Sequence, residues 1–246
     1  TYVVARDGVR LAVHSLGAGR PVILLHGLFS SAHVNWVKYG HAEQLADAGF
    51  RVLMPDLRAH GSSDAPHDPI FYRHDILARD AEDVIAHFGL SDFDLGGFSL
   101  GSRTSARAVV GGLAPRRLIL AGMGLEGLAG WTQRGVFFRR AIAEFDTAKR
   151  GDDVWMAIQF MKTMKVDRVA ADLLLQSFAD TEPADLAAVV MPTLVLCGDQ
   201  DRDNGSPDAL ADALPDARLA MIPGTHMSCI VQPELGQAMV EFLTAD

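Results

Sequence analysis

Short, nearly unbroken apolar runs alternate with longer amphipathic stretches along most of this chain. Pro21-Val22-Ile23-Leu24-Leu25 offers no polar position to water, as expected of a strand covered on both faces by helices. Arg51-Val52-Leu53-Met54, the run at Phe93-Asp94-Leu95, Arg117–Ala121, Thr193–Cys197 and Arg218–Ile222 read as further strands. Between them, Tyr39–Ala48, Arg73–Phe88, Leu100–Val110, Pro207–Leu214 and Pro233–Leu243 read as helices. In the second of these, Ile76, Leu77, Ala81, Val84, Ile85 and Phe88 recur at helical spacing and Gly89 closes the pattern. The first sixteen residues read as a β-hairpin, with Tyr2–Ala5 and Val9–Val13 flanking Asp7-Gly8, a dipeptide suited to a type I′ turn. Strand-helix alternation of this kind predicts an α/β fold built on a doubly wound, mostly parallel sheet. Ligands then bind beyond the carboxyl ends of the strands.

The alternation breaks between residues 122 and 191. Helical patches at Trp131–Ala148, Asp153–Met164, Arg168–Ala179 and Pro183–Val189 fill this stretch without a convincing strand. It is too long for a simple connection and too apolar for a linker. The expected organisation is a core of residues 1–121 and 192–246 with a helical cap of residues 122–191 inserted into it.

Composition narrows the function classes. Of 246 residues 49% are hydrophobic, enough for a substantial core. A formal net charge of −9, with no Lys/Arg block, argues against nucleic-acid binding and favours a small-molecule substrate. No apolar run is long enough to span a membrane and no leader pattern opens the chain, so the cytoplasm is the expected compartment. Cys197 and Cys229 sit in apolar surroundings and read as buried reduced thiols. His33, His41, His67, His74 and His87 lack metal-ligand spacing, and no dinucleotide fingerprint occurs, so neither metal nor cofactor is expected. Oligomeric state is not legible.

The chemistry centres on Gly97-Phe98-Ser99-Leu100-Gly101. A serine in a sharp strand-to-helix turn needs small neighbours, and the turn holds its hydroxyl clear of the backbone. The N–H of Leu100 would lie at a helix start, where unpaired donors favour negative charge. A serine nucleophile needs a general base, usually a histidine oriented by a carboxylate, and on such a sheet the partners follow the serine in the chain. Only His226 follows Ser99, in Pro223-Gly224-Thr225-His226-Met227 just past a predicted strand. Asp199, Asp201 and Asp203 all follow Thr193–Cys197, and local reasoning leaves open which of them reaches His226.

Taken together, Gly97–Gly101, His26-Gly27, Asp56-Leu57-Arg58-Ala59-His60-Gly61-Ser62-Ser63, Gly198-Asp199-Gln200-Asp201 and Gly224-Thr225-His226 occur in an order that resembles the α/β-hydrolase family. The resemblance spans the chain apart from the cap. It implies an eight-stranded, mostly parallel sheet, Ser99 as nucleophile, His226 as base, and Asp201, the fourth residue of the Gly-x-x-Asp pattern, as acid. It further implies an oxyanion hole from the backbone N–H groups of Leu28 and Leu100. Serine at the elbow departs from the aspartate carried there by dehalogenases and epoxide hydrolases. His26, Arg58 and His60 are expected to order loops, and Arg103 to meet a loop carboxylate. Phe29, Met123, Trp131, Trp155 and Met227 are expected to line an apolar pocket suited to uncharged or weakly polar substrates. The implied activity is hydrolysis of small carboxylic esters through an acyl-enzyme. C–C bond hydrolysis or perhydrolysis of the haloperoxidase type could use the same triad, and a non-catalytic ligand-binding homologue is the reading from another class.

Overall fold

The computed structural model describes residues 1–245. Its strands are β1 (Tyr2–Val4), β2 (Arg10–Gly17), β3 (Arg20–Leu25), β4 (Phe50–Pro55), β5 (Asp94–Phe98), β6 (Leu118–Ala121), β7 (Thr193–Gly198) and β8 (Ala217–Ile222). They form one sheet in the order β1-β2-β4-β3-β5-β6-β7-β8. β2 pairs antiparallel with β1 and β4, and every pairing from β4 to β8 is parallel. The helices are α1 (His41–Asp47), α2 (Ile76–His87), α3 (Leu100–Val110), α4 (Leu125–Ala129), α5 (Trp131–Ala143), α6 (Trp155–Met164), α7 (Arg168–Leu175), α8 (Pro207–Ala213), α9 (His226–Cys229) and α10 (Pro233–Thr244).

The unbroken apolar strands follow from burial on both faces. Ile23, Leu25, Leu118 and Leu120 join one core with residues of α2, α3 and α8. Val22, Leu24, Ile119 and Ala121 point the other way and pack with α1 and α10. A third, smaller core of Phe29, Ala141, Val154, Ile158, Met161 and Ala171 holds α5, α6 and α7 together.

One feature of the topology positions the site. β3 lies between β4 and β5, so the chain leaves β3 in one direction across the sheet and later returns to its other side. Leu25 is paired with Gly97, which brings the carboxyl ends of β3 and β5 side by side at this switch point. The loops that leave them, at His26 and Ser99, therefore face each other.

The amino-terminal turn differs from the sequence expectation. Gly8 has φ 90, but Asp7 is not in the positive-φ region, so the turn is not type I′. Instead the Gly8 N–H donates to Ala5 O (2.8 Å) and the Ala5 N–H to Val9 O (2.9 Å), a three-residue connection with glycine in the left-handed position. The Asp7 carboxylate is held by Arg58, which favours this geometry. Between β6 and β7 the chain runs through α4 to α7 and a 3-10 turn at Pro183–Ala188. The five-residue α4 was not anticipated. Cys197 and Cys229 are free and buried, and burial pushes both thiols up to about 12, where they stay protonated. Among the described residues no helix is long and apolar enough to cross a membrane.

Candidate active site

Ser99 connects β5 to α3 with φ 55 and ψ −110, a backbone conformation that side chains rarely adopt. Both flanking glycines are sterically required. A Cβ on Gly97 would lie 2.1 Å from the carbonyl carbon of Gly101, and one on Gly101 would lie 2.0 Å from Leu25 O. Ser102 Oγ braces the turn at 2.7 Å from both Gly97 O and Ala121 O. Leu100 is the first residue of α3, so its N–H has no partner within the helix.

The facing loop leaves β3 at His26-Gly27-Leu28-Phe29. Phe29 has φ 59 and its N–H donates to His60 Nε2 (3.0 Å). The Leu57 N–H donates to His26 Nε2 (2.9 Å), while Nδ1 of His26 faces Gly27 O (2.8 Å). Burial, reinforced by the nearby His60, pushes His26 down to about 3, and burial lowers His60 as well. Both rings are therefore neutral struts between loops. Arg58 is fully buried and forks onto Asp80 (2.7 and 3.0 Å) and Asp7, which accounts for it structurally. The N–H groups of Leu28 and Leu100 donate to no protein acceptor among the described residues, and both residues line the same cleft as Ser99.

His226 is the first residue of the short helix α9, capped by Thr225 and Ser228, rather than part of an irregular loop. Its Nδ1 lies 2.8 Å from Oδ2 of Asp201. The other oxygen of Asp201 accepts the Asp203 N–H (3.0 Å). Burial alone would raise the Asp201 carboxyl, but the contact with His226 and the Asp203 N–H outweigh it and hold the group below its ordinary value. Asp199 instead accepts the Gly224 N–H (2.9 Å) and fixes the loop before His226. Asp203 is exposed; its carboxylate joins Asp201 and His226 within 4.8 Å. A cation there would have to displace the hydrogen bond between His226 and Asp201. Phe98 lies against the His226 ring, centroids 4.9 Å apart, and so ties the elbow to the imidazole. Ser99 Oγ makes no hydrogen bond to His226 in this structure; such contacts commonly tighten only around substrate.

A family model described as the alpha/beta hydrolase fold matches residues 20–110. Over 95% of both chains, the sequence is 27% identical to a non-heme haloperoxidase of Rhodococcus erythropolis. Among solved structures, an esterase from Exiguobacterium antarcticum superposes with a TM-score of 0.81 at 19% identity, covering 100% of this chain and 99% of that one. A thermophilic esterase from Thermogutta terrifontis gives 0.79 at 25% identity, covering 99% and 97%. The chain has the α/β-hydrolase fold.

Ser99, Leu28, Leu100, Met123 and Trp131 come together in one cleft. The other three expected lining residues do not. Phe29 is buried behind Phe138, ring centroids 5.8 Å apart, and Phe138 takes the lining position. Trp155 starts α6, half-buried and away from the cleft, and Met227 is 57% exposed on α9. The lining is also more polar than expected, because Arg103, Arg134 and Asn204 contribute to it. Arg103, one turn beyond Ser99, is 3% exposed and donates to the carbonyls of Gly127 and Leu128 (both 2.8 Å), to Ala179 O and to Asp180. It thereby meets the anticipated loop carboxylate, but three carbonyls take most of its donors. Arg134 carried no sequence signal, since its place on α5 is one of several polar positions there.

Proposed function

We propose that this α/β-hydrolase is a serine hydrolase of small carboxylic esters that works without metal or cofactor. The observation that carries this reading is the 2.8 Å contact of His226 Nδ1 with buried Asp201. With Nδ1–H given to the carboxylate, Nε2 is left as the basic nitrogen. Ser99 attacks the ester carbonyl carbon while Nε2 takes its proton. The tetrahedral oxyanion accepts hydrogen bonds from the Leu28 and Leu100 N–H groups, each typically worth about 3–4 kcal/mol in such a hole. Collapse expels the alcohol, which receives the proton from His226, and leaves an acyl group on Ser99. Water then repeats the sequence and releases the acid. In this reading residues 122–191 act as a cap whose Trp131 and Phe138 roof the acyl site.

The similarity to a haloperoxidase over 95% of both chains favours one accessory activity. Hydrogen peroxide in place of water would release a peracid, which oxidises a halide and returns as the carboxylic acid. The primary test is p-nitrophenyl butyrate turnover together with labelling by a fluorophosphonate. Turnover and labelling by the parent chain, both lost in a folded Ser99→Ala variant, are the expected result. Equal rates in the two proteins would remove the reading, and failure to label would favour a ligand-binding role.

A further inference from the structure

Arg134 is the residue of the cleft that the proposed ester chemistry leaves unexplained. It projects from α5 into the space shared by Ser99, Leu28 and Leu100. One terminal nitrogen donates to the peptide oxygen of Asp203, and its Nε and second terminal nitrogen donate to no group among the described residues. No described carboxylate comes within ion-pairing distance of it. Of the other guanidiniums held against the interior, Arg117 gives both terminal nitrogens to the carbonyls of Leu243 and Ala245, and four pair with carboxylates. Arg58 pairs with Asp80 and Asp7, Arg103 with Asp180, Arg107 with Asp75 and Arg20 with Asp94. Asp203 and Asp201 lie close enough for their charges to act on Arg134, yet burial outweighs them and lowers its pKa from the ordinary value. A guanidinium stays charged under such a shift. The cleft therefore holds a partly desolvated cation with unspent donors.

We propose that Arg134 recognises a carboxylate on the substrate, and that the preferred esters are half-esters of short dicarboxylic acids. This rests on the serine hydrolase reading and narrows it. A carboxylate matches the planar fork of a guanidinium and forms charge-assisted hydrogen bonds with it. Arg103 adds positive charge along the same wall, but its donors are taken by Gly127, Leu128, Ala179 and Asp180. Asn204 adds a polar side chain whose amide nitrogen is committed to Gly122 O (2.7 Å). The chain as a whole carries −9, so long-range steering would not draw anions in. Recognition is local. The competing role for Arg134 is a strut that holds the Asp201–Asp203 loop through the Asp203 carbonyl.

The test compares kcat/KM for monomethyl glutarate and monomethyl adipate with that for methyl pentanoate and methyl hexanoate. It is run on the parent chain, Arg134→Gln and Arg134→Lys. The parent should prefer the half-esters. Arg134→Gln should lower the ratio of half-ester to neutral-ester kcat/KM by at least about tenfold, mainly through KM, as loss of a charged hydrogen-bond partner does. Arg134→Lys should restore part of that ratio. A parent preference for neutral esters, or an equal fall of both series in Arg134→Gln, would overturn the proposal and leave the strut. If the parent hydrolyses no ester, the serine hydrolase reading fails by itself. Calorimetric binding of glutarate to Ser99→Ala, with and without Arg134→Gln, then decides the anion site: binding weakened about tenfold by the substitution sustains it, and no binding removes it.

Discussion

Nδ1 of His226 and Oδ2 of Asp201 lie 2.8 Å apart, with Asp201 only 4% exposed. The two residues come from the ends of adjacent parallel strands, β7 and β8. Because water scarcely competes for this carboxylate, it can hold one imidazole tautomer. Asp201→Asn should lower ester kcat by roughly 10²–10⁴-fold with little change in KM. Asp199→Asn, whose amide oxygen can still accept the Gly224 N–H, should cost far less. Steady-state kinetics of the two variants measure the difference, and equal losses would reassign the acid.

Buried neutral histidines make the fold sensitive to acid. His26 is held near 3 rather than its ordinary 6.5, so below about pH 6.5 the unfolded chain takes up a proton that the folded one refuses. Stability should therefore fall as pH drops from about 6.5 toward 3, by about 1.4 kcal/mol per unit from His26 alone. His60 and His41, also lowered by burial, steepen the slope. Urea midpoints measured between pH 7 and pH 4.5 check this, and an unchanged midpoint contradicts it.

The glycine after the nucleophile is a packing requirement. Gly101→Ala would drive a methyl group into the Leu25 carbonyl at 2.0 Å, against backbone that cannot swing away. A loss of more than about 3 kcal/mol, or failure to fold, is expected. At the other end of α3, Gly111→Ala meets only the carbonyls of Ala108 and Arg107 at 3.3 Å, and should be tolerated. Thermal melts of the two proteins make the comparison.

Arg103 joins the helix behind the nucleophile to the segment above it. Arg103→Met would strand the Gly127 and Ala179 carbonyls, while Leu128 O keeps the Thr181 N–H and the Asp180 carboxylate keeps Trp131 and Thr132. Removal of such a buried cation should cost about 3–5 kcal/mol. Limited proteolysis should then cut faster within residues 122–191 than elsewhere, and a uniform cleavage pattern would count against this anchoring role.

The strands of the central sheet were legible because their whole surface is buried: Val22 to Leu25 and Leu118 to Ala121 have no polar alternate to blur the reading. The amino-terminal turn was misread because Asp-Gly suits more than one connection, and the Arg58 fork that holds Asp7 lies 51 positions away. Phe29, Trp155 and Met227 were misplaced for a related reason. An aromatic or methionine side chain at a helix or loop position carries no mark of whether it faces a cleft, a neighbouring helix or water.

From its residues alone the chain determined an α/β sheet, a serine elbow between two glycines, and a histidine at a later strand end. These are local facts, set by apolar period, turn sterics and order along the chain. The tertiary structure decided which aspartate meets His226, because Asp199, Asp201 and Asp203 differ only in where a tight loop aims them. It also decided that Arg134 stands in the cleft with Ser99, 35 residues earlier in the chain. Contacts of that kind depend on how helices settle on the sheet, and no periodicity in either segment encodes them.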